Sequence, residues 1–338
     1  MMRWLLGGLL VAIVVAAMTA QTLNKWWHNP HAAQVEATVI VAPGSSLRAV
    51  SAELVAANVL THGDWWQWAV RLQQLDHRIK SGEYQFLATD SPARILEVLL
   101  DGQVVQYSVT LPEGITLTMA LTILQQQPVL QREISGLDDP RLLQLVAPHR
   151  SAEGQFFPDT YNYARGDSDW DVLLQAHSRL QRELAAAWES RMPELPYDNS
   201  YEALIMASIV EKETAVAAER PTIAGVFVRR LQQRMRLQTD PTVIYGLGPG
   251  FDGNLTRRHL KDAGNLYNSY RHRGLPPGPI ALVGREALQA AVNPEPGEAL
   301  YFVARGDGSH VFSATLADHE AAVRAYQLQR RKDYRSTP

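Results

Sequence analysis

Residues 38–60, TVIVAPGSSLRAVSAELVAANVL, carry the pattern that decides the fold class. Thr38-Val39-Ile40-Val41 is a short β-branched run, the kind of side chain that suits a pleated strand. Pro43-Gly44-Ser45-Ser46 follows as a turn whose serine can cap a helix, and from Leu47 to Leu60 the apolar residues recur at helical spacing. The same order returns at Thr110-Leu111-Pro112-Glu113-Gly114-Ile115-Thr116-Leu117. Between the copies, Trp65, Trp66 and Trp68 lie on a second helix, and Glu83 to Leu87 alternates as a strand. Ser91-Pro92 opens a further helix through about Leu100, and residues 103–111 form the strand that leads into the second copy. Farther on, helical periods cover Asp169–Arg191 and Ser200–Ala218. Leu300–Val303 and Val311-Phe312 pair around Gly306-Asp307-Gly308, and a charged helix spans Ala317–Lys332. The class is α+β.

The chain has 338 residues, enough for two domains at about 100 to 200 residues each. With 46% hydrophobic and 20% charged residues it has a globular composition. The net charge of −3 leaves no basic footprint, so nucleic acid is not an expected partner. Cysteine is absent, which removes disulfides, thiolate metal sites and cysteine nucleophiles together. Ten histidines lack ligand spacing, so no metal or cofactor is expected. Gly248-Pro249-Gly250-Phe251-Asp252-Gly253 matches GxGxxG in letters only, because no strand precedes it and no helix follows.

Trp4–Leu23 is free of charge and, at about 1.5 Å per residue, just spans a bilayer as a helix. Its apolar run outlasts a cleaved signal core of about 7 to 15 residues, so an uncleaved anchor is expected. Arg3 points the tip inward, and Trp26-Trp27 suit the far interface. The organisation expected is a tip at 1–3, an anchor at 4–23, a linker at 24–35, a small module at 36–106 and a larger domain at 107–335. Val41 to Leu54 of the small module resembles the opening of a LysM-type glycan-binding module.

Three stretches set polar groups among aromatics, glycines and prolines, a mixture suited to a sugar polymer. They are Glu153–Tyr161, Ala207–Thr214 with Leu237–Gly246, and Leu266–Tyr270 with Gly274–Ile280. On the helix that begins at Ser200, Met206, Ile209, Val210 and Glu213 fall on one apolar stripe. A carboxyl at the end of such a stripe is desolvated, which raises its pKa toward the range of a general acid. Glu211 lies about 200° around the helix from Glu213 and is expected at the surface, worth about 0 to 1 kcal/mol.

ASIVEKET, RLQTDPTVIYGLG and YNSYRHRGLPPGPI, with GQFFPDTY upstream and LYFVARGDGSHVFSATLADHE downstream, closely resemble the YceG-like family, the endolytic murein transglycosylases. The likeness covers nearly the whole chain, anchor and LysM-like segment included. It implies an inner-membrane enzyme with its working part in the periplasm that cuts peptidoglycan glycan strands internally. The bond would be the β-1,4 link from N-acetylmuramic acid to N-acetylglucosamine, cleaved without water to leave 1,6-anhydro ends and to limit strand length. The family's catalytic glutamate carries over to Glu213; Gln238, Thr239, Asp240, Tyr245, Asn268, Tyr270 and Glu153 carry over as substrate-binding positions. Penicillin-binding proteins and the elongation or division machinery are the implied protein partners. A non-catalytic glycan-binding scaffold, or a hydrolase using Asp240 as a second carboxylate, are the alternatives.

Overall fold

The computed structural model of the protein describes residues 2–30 and 36–326. The chain divides into two units, one built from residues up to Tyr107 together with Asn162–Asp167, the other from Ser108–Tyr161 and the chain after Ser168. The first unit runs α1 (Met2–His28), β1 (Ala37–Val41), α2 (Leu47–Ala56), α3 (Gly63–Leu72), β2 (Gly82–Phe86), α4 (Pro92–Asp101) and the start of β3 (Gln106–Thr110).

β1 and β2 pair antiparallel, with Val39 opposite Tyr84 and Ala37 opposite Phe86. The strand period of two puts Val39 and Val41 inside while Ile40 stays exposed. Leu54, Trp66, Val70, Ile95 and Leu99 close the core beneath them. The caps are those the sequence offers: Ser46 accepts from the Ala49 amide at 3.2 Å and Ser91 from the Arg94 amide at 3.2 Å. Gly102 ends α4 at φ +73°, a left-handed position that favours glycine.

The expected linker at 24–35 is corrected in its first part. α1 continues through Asn24–His28, ending on Lys25 and His28, cations that favour a helix C-terminus. Trp26 and Trp27 pack against the first unit's core, which gives this last turn a reason to stay helical. Residues 31–35 of that linker lie outside the described residues, as does the expected terminal helix beyond Tyr326. The segment Gly7–His28 is long and apolar enough to cross a membrane.

No local signal announced that Asn162–Asp167 returns to the first unit. It is fastened there by Glu83, a buried carboxylate that takes a 2.9 Å ion pair from Arg165 and a 2.8 Å hydrogen bond from Tyr107. Burial alone would raise the Glu83 pKa, but those two bonds and the Arg165 charge hold it below the usual carboxylate range.

The second unit continues with α5 (Leu117–Gln125), α6 (Pro140–Leu145), β4 (Thr160–Ala164), α7 (Asp169–Glu189), α8 (Ser200–Glu213) and α9 (Arg220–Gln232). Then follow α10 (Asp240–Leu247), α11 (Arg257–Lys261), α12 (Arg285–Val292), the antiparallel pair β5 (Tyr301–Ala304) and β6 (His310–Ser313), and α13 (Leu316–Tyr326). β3 pairs with β4, and Thr116 caps α5 as Ser46 caps α2. The echo between the copies reaches the backbone, with Gly44 at φ +75° and Gly114 at φ +74°.

α8 is the axis of this unit. Every residue from Ala203 to Val210 is buried, among side chains of α7, α9 and α12. A helix apolar on one stripe needs one neighbour, whereas one buried all round must be enclosed. Enclosure overturns the expected surface position of Glu211. Its carboxylate is buried, accepts the Gly284 amide at 2.9 Å where α12 begins, and lies 3.4 Å from Arg220. Arg220 is itself buried and also reaches Glu286 and, at 3.9 Å, Glu113. Removing Glu211 takes the acceptor from the buried Gly284 amide, while Arg220 keeps Glu286 and Glu113. Glu211→Ala is expected to lower the unfolding free energy by about 1 to 3 kcal/mol, whereas Glu286→Ala, at an exposed position, should cost under about 1 kcal/mol. Urea denaturation of the two variants checks the ranking.

Candidate active site

The helical period expected to run to Ala218 stops at Glu213. Thr214 turns extended at φ −144° and ψ 135°, and its hydroxyl accepts the Val216 amide at 2.9 Å. A threonine that bonds its own following backbone competes with the helix, and here it ends it. The consequence is chemical: Glu213 becomes the last residue of a helix enclosed on all sides.

Glu213 is half-buried as a residue, and its Oε1 accepts the hydroxyl of Thr239. Burial pushes its pKa up to about 7; the Thr239 hydrogen bond pulls down, the Asp240 charge pushes up and the Arg230 charge pulls down. A carboxyl in that range is protonated in a sizeable share of molecules at neutral pH and can both give and take a proton.

Thr239 is aimed by a network of short hydroxyl contacts. Its amide donates to Ser269 Oγ at 2.9 Å, Ser269 Oγ lies 2.8 Å from Thr242 Oγ1, and Thr242 Oγ1 donates back to the Thr239 carbonyl at 2.8 Å. All three residues are buried. Asp240 opens α10 at the surface and accepts the Tyr270 hydroxyl at 2.7 Å. Burial and the Asp240 charge raise the Tyr270 pKa well above that of a free phenol. Gln238 is exposed and left-handed at φ +53°, an unusual place for a side chain with a Cβ, with its amide on the Ser269 carbonyl at 3.3 Å.

Glu153 and Tyr245 form a second group, with Tyr245 about 7.5 Å along α10 from Asp240 at 1.5 Å rise per residue. Glu153 is buried; its carboxyl accepts the Leu117 amide at 2.9 Å, the Gly154 amide at 3.2 Å and the Tyr245 hydroxyl at 3.3 Å. Desolvation pushes it up to about 7 in spite of those three donors. Tyr245 meets Tyr267 edge to face at 4.8 Å, and His149 stacks on Tyr201 at 3.7 Å. A Cβ on Gly278 would come within 3.2 Å of the Tyr201 hydroxyl and 3.4 Å of the Tyr267 hydroxyl, so glycine leaves those phenols their room.

Thr239, Asp240 and Tyr270 thus gather around Glu213, Gln238 precedes them at the surface, and Glu153 pairs with Tyr245. Asn268 has a different task. Its Nδ2 donates to the carbonyls of His259, Leu260 and Asp262, bracing the loop after α11, and no amide hydrogen is left for a ligand. Phe156 and Phe157, expected among sugar-facing aromatics, are core residues instead. Asp159 of the same stretch is ion-paired with Arg179.

The sequence pattern did not reveal Arg230. This buried arginine donates to the carbonyls of Leu300 at 2.6 Å and Leu237 at 2.7 Å, lies over the Tyr301 ring, and places a fixed cation near Glu213. Thr242 and Ser269 lie in the polar stretches that the sequence singled out, without a role of their own, and Tyr201 gave no signal. Among the described residues no cluster of His, Asp or Glu is arranged to hold a metal ion.

The raised pKa of Glu213 has a consequence for stability. Its folded pKa of about 7 exceeds the ordinary 4.5, so ionising it costs the folded state increasingly as pH rises between those values. Glu213→Gln, which cannot ionise, should therefore melt at a higher temperature than the parent chain at pH about 8 and at the same temperature near pH 4. Calorimetry at both values checks it.

The model describing the YceG-like family matches residues 39–325. A Bacillus subtilis protein named endolytic murein transglycosylase is 28% identical over an alignment of 301 positions that covers 84% of this chain and 82% of that protein. A Streptococcus pneumoniae protein of the same name is 26% identical over an alignment of 319 positions that covers 85% of this chain but 57% of the relative, so the chain spans little more than half of that protein. The crystal structure of a yceG-like protein from Listeria monocytogenes superposes with a TM-score of 0.52 at 28% identity, covering 86% of this chain and 99% of that one. Both α8 with Glu213 and the Thr239–Asp240 turn fall inside the matched span, and the chain belongs to the YceG-like family.

Proposed function

We propose that the protein is an endolytic lytic transglycosylase of peptidoglycan, with Glu213 as its single acid and base. The observation that carries the reading is a partly buried carboxyl with a pKa near 7, held by Thr239 at the end of an enclosed helix. The names of the bacterial relatives supply the substrate class.

The chemistry follows from one proton. Protonated Glu213 gives it to the bridging oxygen as the bond from muramic C1 to that oxygen breaks. The resulting carboxylate takes the proton of the muramic C6 hydroxyl as its oxygen bonds to C1. The acid is regenerated and a 1,6-anhydro ring closes, with no water consumed. A two-carboxylate hydrolase needs a second carboxylate free to act on C1 or on a water. Asp240 already accepts from Tyr270, and Glu153 already accepts three donors, which favours the one-carboxylate route.

α1 would anchor the enzyme in the inner membrane with the remainder in the periplasm. The β1–α2–α3–β2 order, with its two strands antiparallel, supports reading the first unit as a LysM-like glycan-binding module. Association with cell-wall synthases belongs to the same proposal, and recovery of a penicillin-binding protein with the full-length chain tests it.

Glu213→Gln should lower turnover of uncrosslinked glycan strands by about 10² to 10⁴-fold, the range for loss of acid–base help. The parent enzyme's new ends should be one water lighter than hydrolytic ends and carry no oxygen from isotopically labelled water. Labelled oxygen in those ends would make the enzyme a hydrolase instead. The basic limb of kcat/KM should fall near pH 7, where the acid is lost. Thr239→Val removes a bond that favours the carboxylate and should move that limb up. Asp240→Asn removes a repelling charge and should move it down.

A further inference from the structure

The first unit presents an aromatic face that the bond cleavage at Glu213 does not use. On α3, Trp66 and Val70 are fully buried, whereas Trp65, Trp68 and Leu72 are 45%, 60% and 68% exposed. Positions i, i+3 and i+7 share one side of a helix, so these three form a single stripe. With Trp26 and Trp27 of α1 they line one shallow recess. Trp26 meets Trp65 edge to face at 5.6 Å and Trp27 at 6.0 Å, and His62 lies 4.6 Å from Trp65.

Depth follows from length. The 22 residues of Gly7–His28 rise about 33 Å as a helix, against a hydrocarbon core of about 30 Å. When that segment spans, Trp26 and Trp27 lie at the far interface, where tryptophan, with an apolar ring and one N–H, is most at home. Whatever touches Trp26 lies within a few Å of the same plane. Trp65 touches it, and Trp68 and Leu72 continue from Trp65 along one face.

We propose that α3 is a second membrane contact, laying Trp65, Trp68 and Leu72 into the interfacial layer of the bilayer that α1 crosses. This contact rests on the reading of α1 as a membrane span. Exposed Lys25 and Arg71 flank the stripe and suit lipid phosphates. The aliphatic share of the face, Leu72 with Ala69 beside it in the recess, favours lipid over a sugar ring. The first unit would then be held by a helix and a wedge together, fixing its height and orientation above the membrane.

The chain has no cysteine, so single cysteines can report depth without further change. Full-length Val15→Cys, Trp68→Cys and Leu72→Cys proteins, each carrying an environment-sensitive fluorophore, are reconstituted into phosphatidylethanolamine–phosphatidylglycerol vesicles. Nitroxides on lipid headgroups should quench positions 68 and 72, nitroxides on acyl chains should quench position 15, and aqueous iodide should quench all three several-fold less than in the denatured chain. Quenching of position 15 by acyl-chain nitroxide with 68 and 72 open to iodide overturns the proposal and leaves the anchor standing. Position 15 open to iodide removes the anchor and the proposal with it. Protection of 68 and 72 that arises only on adding a chitin oligosaccharide assigns the face to glycan and also overturns it.

Discussion

The burial of one carboxyl is the constraint on which the second unit turns. A helix enclosed on every side has no solvent face on which to put a charge, and α8 is enclosed from Ala203 to Val210. Thr214 ends it one residue after Glu213, which leaves that half-buried residue at the protein boundary with its carboxyl desolvated. Two residues earlier the same enclosure demands a counter-charge, and Arg220 supplies it to Glu211. The two glutamates have near-identical sequence surroundings and opposite tasks. Burial raises the proton affinity of both, but Glu211 meets an arginine and a helix amide, whereas Glu213 has one hydroxyl contact.

Arg230 sharpens the contrast. It is buried near Glu213, but its donors go to the carbonyls of Leu300 and Leu237 and its plane lies over Tyr301. It acts on the carboxyl as a field, offsetting part of the desolvation without clamping it as a salt bridge would. Asp240 works in the opposite direction from the surface. Removal of either charge would move the proton affinity of Glu213, so the site is a balance between burial and two fixed charges.

Much of this was legible in the sequence where the determinants are local. Ser46, Ser91 and Thr116 cap the helices they precede, and the strand–turn–helix echo survives down to matched left-handed glycines at 44 and 114. Glu213 stood out because it continues an apolar stripe. What stayed hidden depends on contacts distant along the chain. Arg230 bonds a carbonyl 70 residues away, the Thr239 amide meets a serine hydroxyl 30 residues on, and Arg165 reaches back 82 residues to Glu83. The burial of Glu211 stayed hidden for a related reason: a period of 3.6 gives angles around a helix but not how many neighbours surround it. The bracing contacts of Asn268 were hidden too, since its amide meets carbonyls six to nine residues back.

The proton affinity of Glu213 decides whether this site can work with one carboxyl. Carbon-13 NMR of the protein labelled at glutamate side-chain carboxyls, with Glu213→Gln assigning the resonance, reads that affinity directly. A Glu213 carboxyl that titrates near pH 7, and moves upward in Thr239→Val, is the result expected. A titration at the ordinary 4.5, unmoved by the loss of the Thr239 hydroxyl, would contradict it.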